Sequence, residues 1–88
     1  MDFVFSNHAE EQLFRRRLNR TIIMQIISYP EQIVVDKDNH DISIYQSIFE
    51  ENGQRFLFRV FINMAKDPRV IVTLYRTTKI QKYYESKI

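Results

Sequence analysis

Apolar residues alternate weakly in the opening "DFVF", as in a short strand, and then recur at helical spacing. Over residues 8 to 18 the apolar positions are Ala9, Leu13 and Phe14, a narrow stripe that predicts a half-exposed helix. Ser6 or Asn7 is placed to cap it, and Asn7 with Glu10 has the spacing of a capping box. A second helix is predicted in "TIIMQIISY", capped by Asn19 or Thr21. There Ile22, Ile23, Ile26 and Ile27 keep one buried face until Pro30 ends it.

Beyond Pro30 the pattern changes to β-branched and aromatic runs, "QIVVD", "ISIYQSIF", "RFLFRVFIN" and "RVIVTLY", separated by turn-forming residues. The turn at "EENGQR" decides which side chains share a face. A two-residue Asn52-Gly53 turn pairs Phe49 with Phe56, whereas a three-residue loop pairs Ile48 with Phe56. The three-residue loop is preferred, because it gathers Ile42, Ile44, Ile48, Phe56, Phe58, Val60 and Ile62 beneath the helices. Tyr45, Ser47, Phe49, Arg55, Arg59 and Phe61 are then expected on the open face. Uninterrupted alternation in the last strand sends Val70, Val72 and Leu74 to the core and Ile71, Thr73 and Tyr75 to the open face. The whole predicts an α+β fold: two N-terminal helices on one face of a four- to five-stranded, mainly antiparallel sheet, then a short C-terminal helix or turn capped by Thr77 or Thr78.

Length and composition narrow the function classes. At 88 residues, 44% hydrophobic and 27% charged, the chain is expected to be one globular domain, residues 1–88. No run approaches the roughly 20 apolar residues of a membrane span, and the opening lacks a signal-peptide pattern, so a cytoplasmic location without membrane contact is expected. Zero cysteines exclude disulfides, thiolate catalysis and Cys-ligated zinc, and two distant histidines point away from a metal site; no cofactor is expected. Net charge is only +2 but unevenly spread. "RRRLNR" forms one basic cluster, and Arg69, Arg76, Lys79, Lys82 and Lys87 form another, opposed there only by Glu85.

No phosphate loop, nucleophile elbow or HExxH motif occurs, so any catalysis rests on His, Arg, Lys and Tyr. Those types suffice for metal-free RNA cleavage, which needs a base near the 2′-hydroxyl, cations for the pentavalent phosphorus and an acid for the 5′-oxygen. His8 and Arg16 fall on nearly one side of the first helix, with Gln12 between and Arg15 alongside. Tyr75 and Arg76 end a strand, followed by Lys79, Lys82 and Tyr83 at helical spacing. Arg59, flanked by apolar residues in mid-strand, must be exposed or paired, with Asp36 or Glu50 as candidate partners.

These stretches, "HAEEQLFRRR", "IISYP" and "YRTTKIQKY", resemble a small bacterial and cyanobacterial domain family that looks related to the RelE/ParE toxin superfamily. Gln12 stands where that family often has an arginine, and Arg17 where a glycine is common. The resemblance implies a RelE/ParE-like fold and marks His8, Arg16, Tyr75, Arg76, Lys79, Lys82 and Tyr83 as functional positions.

RelE-like toxins cut mRNA, often on the ribosome, and ParE-like relatives poison gyrase without cutting RNA. The first expectation is therefore a toxin of a type II toxin–antitoxin system acting as a metal-independent endoribonuclease. His8 and Tyr75 would be its acid and base, and Arg16, Arg59 and Arg76 would hold the phosphate. Arg15, Tyr45, Lys79, Lys82 and Tyr83 would bind RNA. Its partners would be RNA, ribosome-bound mRNA included, and an antitoxin. Its assembly would be a homodimer or a toxin–antitoxin hetero-oligomer. The alternatives are a gyrase-type inhibitor, or an interaction domain that pairs through Phe49, Phe61 and Ile71.

Overall fold

The computed structural model describes residues 2–85; Lys87, counted above among the C-terminal cations, lies outside the described residues. The elements are β1 (Phe3–Phe5), α1 (Asn7–Arg15), α2 (Arg20–Ser28), β2 (Gln32–Val35), β3 (Ile42–Glu51), β4 (Gln54–Asn63), β5 (Arg69–Thr77) and α3 (Ile80–Tyr83). They form one α+β arrangement with a five-stranded sheet of order β1-β5-β4-β3-β2. The sheet is mixed rather than mainly antiparallel, because β1 joins the far edge parallel to β5. Parallel neighbours require a long crossover, and here everything from α1 to β4 lies between them in the chain.

Ser6, not Asn7, caps α1: its hydroxyl accepts from the Ala9 amide at 3.0 Å and donates to the Val72 carbonyl, tying the helix start to β5. The helix stops at Arg15 rather than running on to residue 18. Arg17 adopts φ 52°, its amide bonds to the Phe14 carbonyl, and the Leu18 amide bonds to the Leu13 carbonyl. This is the Schellman closure, and it drops Leu18 into the core beside Leu13. Asn19 caps α2 through the Thr21 amide.

Two corrections reset the faces of the sheet. First, the β3–β4 hairpin has the two-residue turn: Asn52 (φ 52°) and Gly53 (φ 79°) both take the left-handed conformation that a twisted hairpin favours, and Phe49 pairs with Phe56. Tyr45, Phe58, Val60 and Ile62 therefore face the helices. Ile44, Gln46, Leu57, Arg59 and Phe61 face the opposite way. Tyr45, expected on the open face as an RNA contact, is instead a core residue, 7% exposed. Second, a bulge opposite Phe61/Ile62 breaks the alternation of β5. Ile71 and Leu74 both enter the core, with Val72 as the extra residue.

The core thus lies between the sheet and α1 and α2, around Ile23, Ile26, Phe58, Val60, Ile62, Ile71 and Leu74. Ile71 is fully buried and Phe49 packs against the core, so of the three residues expected at a pairing surface Phe61 alone lies half-exposed on the face away from the helices. Among the described residues no helix is long and apolar enough to cross a membrane.

Candidate functional site

Register places Gln46 directly opposite Arg59 on β4, and Arg59 directly opposite Tyr75 on β5. All three side chains rise from the face away from α1 and α2. The Arg59 Nε donates to Gln46 Oε1 at 2.9 Å, and one Nη donates to the Tyr75 hydroxyl at 2.8 Å. Two neighbours on different strands thereby fix the plane of the guanidinium. No carboxylate among the described residues pairs with it, so neither Asp36 nor Glu50 plays that part.

The chain then returns over this face. After β5, the short α3 carries Lys82 and Tyr83, and the Tyr83 ring lies 4.4 Å from the Arg59 Cζ. Phe61 and Tyr75 flank the same guanidinium at 5.4 and 5.9 Å, completing a cation held among three aromatic rings. Lys82 stands 5.2 Å from the Tyr83 ring. Hydrogen bonding and charge from Lys82 hold the Tyr83 phenol below the usual tyrosine range. Tyr75 and Arg59 pull the same way and burial opposes them. Tyr84 moves upward, through burial and then the Glu31 carboxylate beside it.

Next to this cluster is a hollow of about 460 Å³, walled by Val34, Ile44, Phe61 and Tyr84 and fringed by Arg59, Lys82, Asp36 and Asp38. A second hollow, about 490 Å³, is lined by Arg55, Thr78, Lys79 and Lys82. Lys82 borders both. An arginine with unused N–H groups, an acidified phenol and a lysine on one surface can bind a phosphodiester and move a proton at it.

Of the positions singled out in the sequence, Arg59, Tyr75, Lys82 and Tyr83 come together, and Lys79 lies in the adjoining hollow. His8, Arg15 and Arg16 do not join them. They project from α1, whose Ala9 and Leu13 are buried against the other face, so the sheet stands between. Arg16 bonds to Gln12, and Arg15 lies 3.8 Å from Glu11. Arg76 also falls on the helix-side face, because it follows Tyr75 by one residue; it pairs with Glu51 at 3.2 Å and lies over Phe56. Gln46, which is fully buried, was missed. Its signal was there: taking Asn52-Gly53 as a two-residue turn sets Gln46 opposite Arg59.

A family model described as "Domain of unknown function (DUF4258)" matches residues 5–76, and the chain belongs to that family. The matched span contains Gln46, Arg59 and Tyr75 and stops before Lys82 and Tyr83. No curated protein and no solved structure matches the chain.

Proposed function

We propose that this member of the DUF4258 family is a metal-independent endoribonuclease, the toxin of a type II toxin–antitoxin system, with a RelE/ParE-like arrangement. The observation that carries the reading is Arg59, oriented by Gln46 and Tyr75 and set against a phenol that Lys82 acidifies. Tyr83, as general base, takes the proton from the ribose 2′-hydroxyl. The 2′-oxygen bonds to phosphorus as the bond to the 5′-oxygen breaks, leaving a 2′,3′-cyclic phosphate and a 5′-hydroxyl. Arg59 and Lys82 meet the charge on the phosphorane, and the Tyr75 hydroxyl protonates the leaving oxygen. Lys79 and Arg55 receive the neighbouring phosphate. An antitoxin would neutralise this face by laying an acidic segment over it.

The test is cleavage of RNA, free and ribosome-bound, in chelator by the wild type, Arg59→Gln, Tyr83→Phe and His8→Ala. Cyclic-phosphate ends from the wild type and His8→Ala alone are expected. Equal cleavage by all four points to a contaminant. One observation favours a binding module instead, such as a gyrase-type inhibitor: the Arg59 side chain is almost covered. Growth arrest with intact RNA would select that alternative.

A further inference from the structure

Arg59 is only 8% exposed and Gln46 not at all, although both belong to the face that α1 and α2 leave bare. The segment over them is the one that follows β5, and its attachments are unusual in kind. Gln46 Nε2 donates to the Tyr83 carbonyl at 3.1 Å, and Gln32 Oε1 accepts from the Glu85 amide at 3.0 Å while Gln32 Nε2 donates to the Glu85 carbonyl. The Tyr84 hydroxyl reaches Glu31 Oε1 at 3.2 Å. Two side-chain amides thus grip the backbone of the segment as a neighbouring strand would, and Gln46 also donates to Gln32, joining the grips to the Arg59 contact.

Such a latch rests on few bonds, several of them exposed; segments held by exposed bonds open locally at low free-energy cost. No buried side-chain nitrogen lacks a partner among the described residues, and Arg59 and Tyr83 both line the hollow beside Val34 and Ile44.

We infer that residues 79–85 form a movable strap, latched by Gln32 and Gln46, that shields Arg59 when closed and lifts to admit an anionic ligand between Arg59 and the Tyr83 ring. That the ligand is a phosphodiester rests on the function proposed above; the strap itself does not. Closure stacks Tyr83 on the guanidinium, and opening exchanges that stack for bonds from the free N–H groups to oxygen.

The test uses the full chain and no RNA: the rate at which a dicarbonyl reagent modifies Arg59, read by peptide mass spectrometry, with exposed Arg17 as internal control. Gln32→Ala, which removes both bonds to Glu85, is expected to raise the Arg59 rate roughly fivefold or more and leave Arg17 unchanged. Tyr84→Phe deletes one exposed contact, cannot disturb the sheet, and is expected to raise the rate by a smaller factor. An unchanged Arg59 rate in both variants, or a rise matched at Arg17, overturns the strap. Adding RNA to Gln32→Ala then separates the two ideas, since failure to protect Arg59 sinks the phosphodiester reading and leaves the strap standing.

Discussion

The Arg59 guanidinium donates to the hydroxyl of Tyr75, its direct partner across the β4–β5 ladder, at 2.8 Å. The bond is largely shielded from solvent, so it differs from the exposed contacts of Arg15 and Arg16. Tyr75→Phe is expected to lower stability by about 0.5–1.5 kcal/mol, the net worth of such a hydrogen bond. Urea denaturation measures it. Arg59→Lys is expected to do no better than Arg59→Gln in RNA cleavage, because an ammonium cannot hold Gln46 and Tyr75 with a fixed fork.

Tyr83 is expected to ionise below the ordinary tyrosine range, and before Tyr84, in an ultraviolet pH titration. Lys82→Gln removes the principal cause of the lowering and should move that ionisation up toward the ordinary tyrosine range. The sign follows from the charge: Lys82 favours phenolate, so any cleavage that needs Tyr83 as base rises with pH through the lowered pKa. In Lys82→Gln the rising limb shifts to higher pH, and a limb that stays put removes Tyr83 from the base role.

Tyr45 and Arg76 separate the sequence-based site from the structural one. Tyr45→Ala should cost about 3–5 kcal/mol in unfolding free energy, the usual penalty for truncating a buried aromatic ring. Tyr45→Phe should keep full RNA cleavage. Arg76→Ala breaks a partly exposed pair with Glu51 and is expected to cost no more than about 1 kcal/mol, with cleavage unchanged.

Arg17→Gly is expected to stabilise the chain by about 1 kcal/mol, because Arg17 carries the left-handed φ that closes α1 and glycine adopts it without strain. Thermal unfolding should show a rise of about 4–8 °C. No change in RNA cleavage is expected, since Arg17 lies on the helix side. The glycine common at this position in the resembling family then has a backbone reason rather than a chemical one.

Secondary structure was legible because each element carries its own signal: periodic isoleucines in α2, a stop at Pro30, β-branched runs, and capping residues at Ser6 and Asn19. The family model adds that this pattern belongs to a recognised domain over residues 5–76. The α+β class follows from those local signals.

Which side chains meet was not local. A one-residue difference in a hairpin loop reverses both faces of β3 relative to β4, and both turns at Asn52-Gly53 bury plausible apolar sets. The bulge at Val72 has no mark in an alternating run, yet it decides that Ile71 joins Leu74 in the core. His8 and Arg16 match the spacing of a helix face, but only packing shows that face to be across the sheet from Tyr75. Sequence alone determined the elements and the stock of cations and tyrosines. Tertiary structure decided the grouping, because residues brought together across strands are set by register and twist, which no single segment encodes.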